Sequence, residues 1–376
     1  MLTRAAVLYE IEKPTPYAES KPLVIEQLSL ADPGPGEVLV EMAGAGLCHS
    51  DLSTIDGSRP RVMPMVMGHE ASGIVREVGP GVHDLQPDDH VVFSFVPLCG
   101  HCIPCATGRP ALCEPGARAN TAGTLLSGRR PFSSNSGQEI NHHLGVAAFA
   151  EHTVVAQESL IKIDSQLPLS TAALFGCAVM TGVGAVVNTA KIEPGSSVAV
   201  FGLGGVGLST VMGARAAGAE TIFAIDLLPD KLERATQVGA THTINASEED
   251  PVQLIKDIQN GVDYTFESVG NELVLQQAYA ATRRGGTTIT IGLPHPNKMF
   301  SVPAVSLVAE ERTIKGSYMG SAVPRRDLPR FIAMYQAGLL PVDKLRSSTI
   351  QLDEINEAFD ALATGTAVRQ VITFEK

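Results

Sequence analysis

The stretch SVAVFGLGGVGLSTVMGARAAG, residues 197–218, constrains the fold of this chain more than any other segment. An apolar run with strand character leads into G-x-G-x-x-G at Gly202, Gly204 and Gly207, and an Ala/Gly-rich helical pattern follows. The first glycine allows a tight turn, the second lets the backbone approach a pyrophosphate, and the third lets helix and strand pack closely. The helix start offers free N–H groups and the positive end of its dipole to phosphates. A second strand pattern, TIFAID, ends at Asp226, whose carboxylate is placed to bond the adenosine ribose hydroxyls and to repel a 2′-phosphate. A site for NAD is therefore expected over Gly202, Gly204, Gly205, Val206, Gly207 and Asp226. Lys231, at the start of the next helix, either reaches the same ribose or stands as a surface lysine.

The surrounding pattern agrees. From about Gly182, the strand patterns SVAVFG, TIFAID, YTFESVG and TTITIGLP alternate with helical ones such as PDKLERATQVGA and ELVLQQAYAATRRGG, which predicts a parallel sheet covered on both faces. The first 160 residues read differently. VLVEMAGAG, GIVREVG, HVVFSFV and AEHTVVA are short strand patterns cut by Gly and Pro, predicting an antiparallel β-rich domain. Residues 116–141 are polar and rich in Gly and Ser, and are expected to form a long surface loop with Arg129 and Arg130 solvated.

With 376 residues the natural prior is two domains. The net charge of −12 argues against a nucleic-acid or anionic-membrane partner. Ser170–Ala190 and Ser196–Ala214 lack charge over membrane-spanning lengths, but their Gly, Ala, Ser and Thr content fits a buried α/β core better than lipid. No secretory pattern opens the chain, so a cytoplasmic, reducing setting is expected, where clustered cysteines bind metal more often than they form disulfides.

Four of the six cysteines, Cys99, Cys102, Cys105 and Cys113, stand in the spacing C-x2-C-x2-C-x7-C. Four thiolates complete the tetrahedron of a zinc ion and leave no position for water or substrate, so this site organises a loop. His101, inside that loop, is a bystander. The remaining two, Cys48 in GLCHSD and Cys177 in FGCAVMTG, are ambiguous alone, as is His69 with Glu70 in MGHEASG.

Taken in order, GLCHSD, GHEASG, the four-cysteine loop, GCAVMTG, GLGGVG, GVDYTFESVG and AVRQVITF resemble the zinc-dependent medium-chain alcohol dehydrogenases over essentially the whole chain. The length of residues 114–148 resembles the extra loop of the longer, dimeric, class III-like branch. The resemblance implies a GroES-like β-barrel catalytic domain over residues 1–178 and 322–376, a Rossmann NAD-binding domain over 179–321, and a cleft between them. It implies two zinc ions per chain, the catalytic one on Cys48, His69 and Cys177, with one position left for water or substrate oxygen. Glu70 would sit beside that metal, and Asp51 would orient His69 through its other ring nitrogen. Ser50 would pass the alcohol proton outward, and His49 and Arg369 would contact the cofactor pyrophosphate. Ile291 and Gly292 would also meet the cofactor.

The implied activity is reversible oxidation of a primary alcohol to the aldehyde with NAD, by a cytoplasmic homodimer. Where well-studied relatives carry a relay histidine this chain has Ser53, which is no base near neutral pH, so proton release would pass through water or His49. The glutathione-dependent branch of the family suggests S-(hydroxymethyl)glutathione as an alternative substrate. Its acidic position falls at Arg59 here, and Arg118 is only near its basic position, which favours a simple, possibly aromatic, alcohol with Phe95 lining the pocket. A non-catalytic zinc- and nucleotide-binding relative, or an enzyme whose NAD never leaves, are further readings.

Overall fold

In a computed structural model that describes residues 1–374, the strand patterns of the N-terminal third pair as an antiparallel assembly. Leu2–Leu8 and Leu23–Leu30 run antiparallel, with Leu8 opposite Leu23. With Phe132–Ser133, Glu139–His142 and Met65–Val66 they close a barrel. Its interior is filled by Val7, Leu28, Leu30, Val66, Phe132, Ile140 and Val154, all essentially inaccessible. A second sheet is built around the long strand Glu37–Gly46, which pairs antiparallel with Glu70–Val78, His152–Ala156 and Gln370–Thr373. The last pairing sets Val371 opposite Gly46, so the C-terminal strand delivers Arg369 next to the segment leading into Cys48.

The stretch expected as a loop is ordered differently. Glu114–Ala122 is a helix, started by Pro115 in its first turn and ended by Gly123 in the left-handed region. Phe132–Ser133 and Glu139–His142 are staves of the barrel. Nor is Arg129 solvated in full. Its guanidinium pairs with the buried Glu37 carboxylate, which also accepts from Ser127 Oγ at 2.7 Å. Arg130 donates through Nε to Asn141 Oδ1 at 2.7 Å and through Nη2 to the Ala122 carbonyl at 3.0 Å. An isolated carboxylate buried at the start of Glu37–Gly46 would cost several kcal/mol, roughly, and Arg129 offsets this while both arginines tie the segment down.

The second assembly is a six-stranded parallel sheet in the order His242–Asn245, Thr221–Asp226, Ser197–Phe201, Val262–Glu267, Thr282–Thr290, Thr313–Gly316. Strand order reverses beside Ser197–Phe201, so the crevice at its carboxyl end is the topological switch point where such sheets take ligands. The helix Gly205–Ala216 leaves that end and buries Leu208, Val211 and Met212 completely. Phe201, Phe223, Ile225 and Ile255 form the core on the sheet. The expected combination of a Rossmann sheet and a GroES-like barrel is the architecture found.

The chain divides into two compact units, Met1–Cys177 with Val323–Pro329 and Arg346–Lys376, and Ala178–Ala322 with Arg330–Leu345. Glu375 and Lys376, the end of the expected catalytic domain, lie outside the described residues. Among the described residues no single helix is long and apolar enough to cross a membrane.

Candidate metal centres and nucleotide turn

Cys48 ends the segment that leaves Glu37–Gly46 and caps the short helix His49–Ile55. Its backbone N–H donates to Asp51 Oδ2 at 3.1 Å, which stops the extended strand and turns the chain into the helix. His69 and Glu70 stand where Glu70–Val78 begins, and Cys177 lies between the 3-10 turn Ala173–Phe175 and the helix Ala178–Gly184. Three distant segments thus meet. The ligand atoms of Cys48, His69, Glu70 and Cys177 all lie within 4.8 Å of one another, and all four residues are buried. His69 directs Nε2 to Cys177 Sγ at 3.4 Å while its Nδ1 lies 2.8 Å from Asp51 Oδ1. The second contact holds the ring so that Nε2 faces the sulfurs.

The electrostatics of this pocket suit a cation. Hydrogen bonding with Cys177, against the cost of burial, holds the Cys48 thiol well below its usual range. The same contact and burial push Cys177 up, as expected when two thiols share one proton. Burial pushes the Glu70 carboxyl up to about 7, against the pull of Arg369. Neither Glu70 oxygen has a hydrogen-bond partner, although Arg369 Nη2 stands 3.4 Å from Oε2. Two sulfurs, an imidazole and an unsatisfied carboxylate, out of water, form a donor set chemically matched to zinc.

The four-cysteine loop makes a second donor set. Cys99, Cys102, Cys105 and Cys113 bring their sulfurs within 4.8 Å of one another. The backbone turns inward around them. The N–H of Cys102 donates to Cys99 Sγ at 3.4 Å, and those of Cys99 and Gly116 to Cys113 Sγ at 3.3 and 3.4 Å. Backbone N–H groups aimed at sulfur stabilise thiolate, and hydrogen bonding from the Cys105 N–H draws Cys102 down to about 6. His101 turns away, its Nδ1 bonded to the Cys99 carbonyl at 2.7 Å.

The second unit carries the nucleotide turn. Gly202 has φ of 88°, and a Cβ on Gly207 would overlap the Gly202 carbonyl oxygen, so both positions require glycine for the turn itself. A Cβ on Gly204 would meet no protein atom within 4 Å, leaving open space at the helix start, as a cradle for phosphate requires. Asp226 Oδ2 accepts the Leu203 N–H at 2.8 Å and Oδ1 the Leu227 N–H at 2.8 Å, fixing the carboxylate beside the turn. Lys231 is in the first turn of Pro229–Gln237 and half-buried. Ile291 and Gly292 donate their N–H groups to the Glu267 carbonyl at 2.8 and 3.0 Å.

Other expected residues are placed as follows. His49 is exposed and Ser50 half-buried, on the first turn of their helix. Ser53 Oγ donates back to the His49 carbonyl at 2.8 Å. Phe95 packs its ring edge-on to His69, with centroids 5.5 Å apart. Arg369 is 3 % exposed and donates to the Leu47 carbonyl at 2.8 Å, inside the first unit beside Glu70. Arg59 is half-buried and Arg118 exposed.

Sequence reasoning missed two residues. Ser268 donates Oγ to the Gly202 carbonyl at 2.9 Å and clamps the glycine turn. His143 is buried beside Asp51, its Nδ1 3.2 Å from Oδ1. Ser268 directly follows the FE of YTFESVG, a visible cue, whereas the pair His142–His143 has no ligand-like spacing to betray it.

Comparison with known proteins agrees with this geometry. Residues 34–165 match the alcohol dehydrogenase GroES-like domain and residues 205–337 the zinc-binding dehydrogenase family. The chain therefore belongs to the zinc-dependent medium-chain alcohol dehydrogenases. It is an NAD-dependent zinc enzyme of that class, acting on small-molecule alcohols or aldehydes. Among curated relatives, S-(hydroxymethyl)glutathione dehydrogenase of Photobacterium damsela subsp. piscicida is 41% identical over 379 residues, with all of both chains covered. The protein of the same name from Escherichia coli O6:H1 is 40% identical over the same length and coverage. Among solved structures, an alcohol dehydrogenase zinc-binding domain protein from Burkholderia ambifaria superposes with a TM-score of 0.94 at 34% identity. Benzyl alcohol dehydrogenase from Acinetobacter calcoaceticus does so with 0.93 at 32%. Both superpositions cover the whole of each chain. The curated names favour the alternative substrate, the glutathione adduct, over the simple alcohol expected first.

Proposed function

We propose that the chain oxidises S-(hydroxymethyl)glutathione to the S-formyl product with NAD, reversibly, at the centre built from Cys48, His69 and Cys177. The full-length relatives of that name carry this reading. A zinc ion there supplies a Lewis acid that lowers the pKa of an alcohol oxygen, and NAD supplies the hydride acceptor. The protein's own part is positional. Cys48 and Cys177 Sγ and His69 Nε2 would hold the metal, Asp51 fixes the His69 ring, and Glu70 places a buried carboxyl beside it. The Ser50 hydroxyl takes the alcohol proton and hands it outward, to water or His49, since Ser53 is no base near neutral pH. The turn Gly202–Gly207 seats the pyrophosphate, Asp226 and Lys231 hold the ribose, and Ile291 and Gly292 flank the nicotinamide. Asp226 disfavours a 2′-phosphate by its charge. Cys99, Cys102, Cys105 and Cys113 hold the second zinc as a structural ion.

A second reading, an aromatic primary alcohol, is supported by the benzyl alcohol dehydrogenase neighbour, by Phe95 packed beside His69, and by Arg59 at the position where an acid is expected for glutathione. The kcat/KM for S-(hydroxymethyl)glutathione and for benzyl alcohol, on protein of known zinc content, separates the two. At least tenfold preference for the glutathione adduct is expected, and preference for benzyl alcohol overturns it. Cytoplasmic location and a homodimer complete the proposal. Free cysteines throughout suit a reducing compartment, and sedimentation tests the dimer.

A further inference from the structure

We propose that His143 is a positioning residue for the catalytic zinc: it directs its Nδ1–H at the Asp51 oxygen that orients His69, and so braces the carboxylate on which the metal ligands lean. The inference rests on the reading of Cys48, His69 and Cys177 as ligands of one zinc ion, and it concerns a residue that reading does not use.

The geometry is specific. Asp51 has no exposed surface, so each of its lone pairs needs a donor inside the protein. Oδ2 takes the N–H of Cys48 at 3.1 Å and Oδ1 takes His69 Nδ1 at 2.8 Å. One carboxylate therefore fixes two of the ligand-bearing residues at once. His143 Nδ1 approaches Oδ1 to 3.2 Å, bent from the ideal line and with no better-aligned partner. Its ring stands edge-on to that of His69, with centroids 5.7 Å apart and planes at 88°. Asp51 Oδ1 is the acceptor that faces Nδ1 of this buried ring and so selects that nitrogen to carry the N–H.

The fold explains the meeting. Met65–Val66 and Glu139–His142 run parallel in the barrel, with Val66 opposite His142. Both strands leave at the same end, one towards His69 and the other into His143. At that exit consecutive side chains part to opposite sides. His142 is held in the barrel, its Nε2 bonded to the Val154 carbonyl at 3.0 Å and its ring tilted on Phe132. His143 takes the other side, and its carbonyl accepts the N–H of Val146 at 3.0 Å and of Ala147 at 3.1 Å, which fixes the turn. With His69 Nδ1 at 2.8 Å and His143 Nδ1 at 3.2 Å both set against Oδ1, the carboxylate has little room to turn away from His69, so the His69 ring keeps its aim.

The test uses the zinc-loaded full chain and three variants. His143→Phe keeps a ring without a donor, His143→Asn keeps an N–H near the Nδ1 position, and His143→Gln moves it to about the Nε2 position. The readout is the rate of zinc release to a colorimetric chelator, with the phase belonging to the catalytic centre identified as the one missing in Cys177→Ser. Release from that phase is expected to rise about tenfold or more in the Phe and Gln variants, and to stay within about threefold of the parent in Asn. A role in filling space predicts the reverse, with Phe nearest the parent. Parent-like release in Phe, or equal release in Asn and Gln, overturns the proposal. Where the Phe variant does not fold, judged by circular dichroism, the contrast between Asn and Gln decides alone. A Cys177→Ser protein that still holds two zinc ions defeats the underlying ligand assignment instead, whatever the His143 variants do.

Discussion

At the scale of single residues, two kinds of cysteine do different work. Cys105 stands with three other cysteines on one loop, a set that would close around a zinc ion, whereas Cys177 is one of two sulfurs beside an imidazole, a set that would leave a zinc ion one open position. A Cys105→Ser change should therefore lower the thermal midpoint while a zinc-replete sample still turns over. Cys177→Ser should cut turnover by about a hundredfold or more in a protein that keeps its fold and one zinc ion per chain. Metal analysis beside thermal unfolding checks both, and the opposite pattern would exchange the roles of the two centres. The clustering of the candidate metal donors was legible because each sits in a compact motif. His143 was not, because its meaning lies in Asp51, supplied by a different part of the chain and matched to it only when two barrel strands run parallel. The ending AVRQVITF suggests Arg369 as a cation for phosphate. Its burial against Glu70 was not legible, because that depends on the pairing of Gln370–Thr373 with Glu37–Gly46.

At the scale of elements, the strand–turn–helix at Gly202–Gly207 separates what the backbone needs from what a nucleotide needs. Gly207→Ala places a Cβ against the Gly202 carbonyl oxygen and should cost about 1–3 kcal/mol of stability, read by urea unfolding. Gly204→Ala meets no protein atom, so stability should stay within about 0.5 kcal/mol. The KM for NAD should nevertheless rise about tenfold or more, because the methyl fills the space a phosphate approaches. An unchanged KM in Gly204→Ala would remove the turn from the cofactor site. This element was readable from periodicity and glycine spacing alone. Residues 116–141 were not. Their strands are only two and four residues long, too short for alternation to show, and they exist because Leu30 and Val66 offer partners far away in sequence. The buried charge that fixes the segment, Glu37, is also remote from Arg129 in sequence.

At the scale of the whole molecule, the alternation of strands and helices announced the parallel sheet, since each strand there is followed by the helix that carries the chain back to start the next strand in parallel. Barrel closure was less legible, because its strands come from residues 2–8, 23–30, 65–66 and 132–142. The barrel sets a pH limit through His142, whose buried ring is drawn down to about 3 by burial. Folded and unfolded chains bind protons equally above pH about 6.5, so its full contribution is present there. As pH falls towards 3 the unfolded chain takes the proton and the folded one does not, which lowers stability by about 4 kcal/mol by pH 3.5. A His142→Phe variant should lack this acid slope in urea titrations at stepped pH, and a parallel slope in both proteins would rule His142 out as its source. The two metal centres differ in one more respect. Cys99 and Cys113 are 14 residues apart, whereas His69 and Cys177 are separated by 108. Loop closure alone makes the longer connection about 2 kcal/mol costlier before any contact rewards it. During synthesis the short loop can capture its ion as soon as it leaves the ribosome, while the reactive centre waits for most of the first unit. A growing chain would thus take its scaffold zinc early and become chemically competent only near the end of assembly.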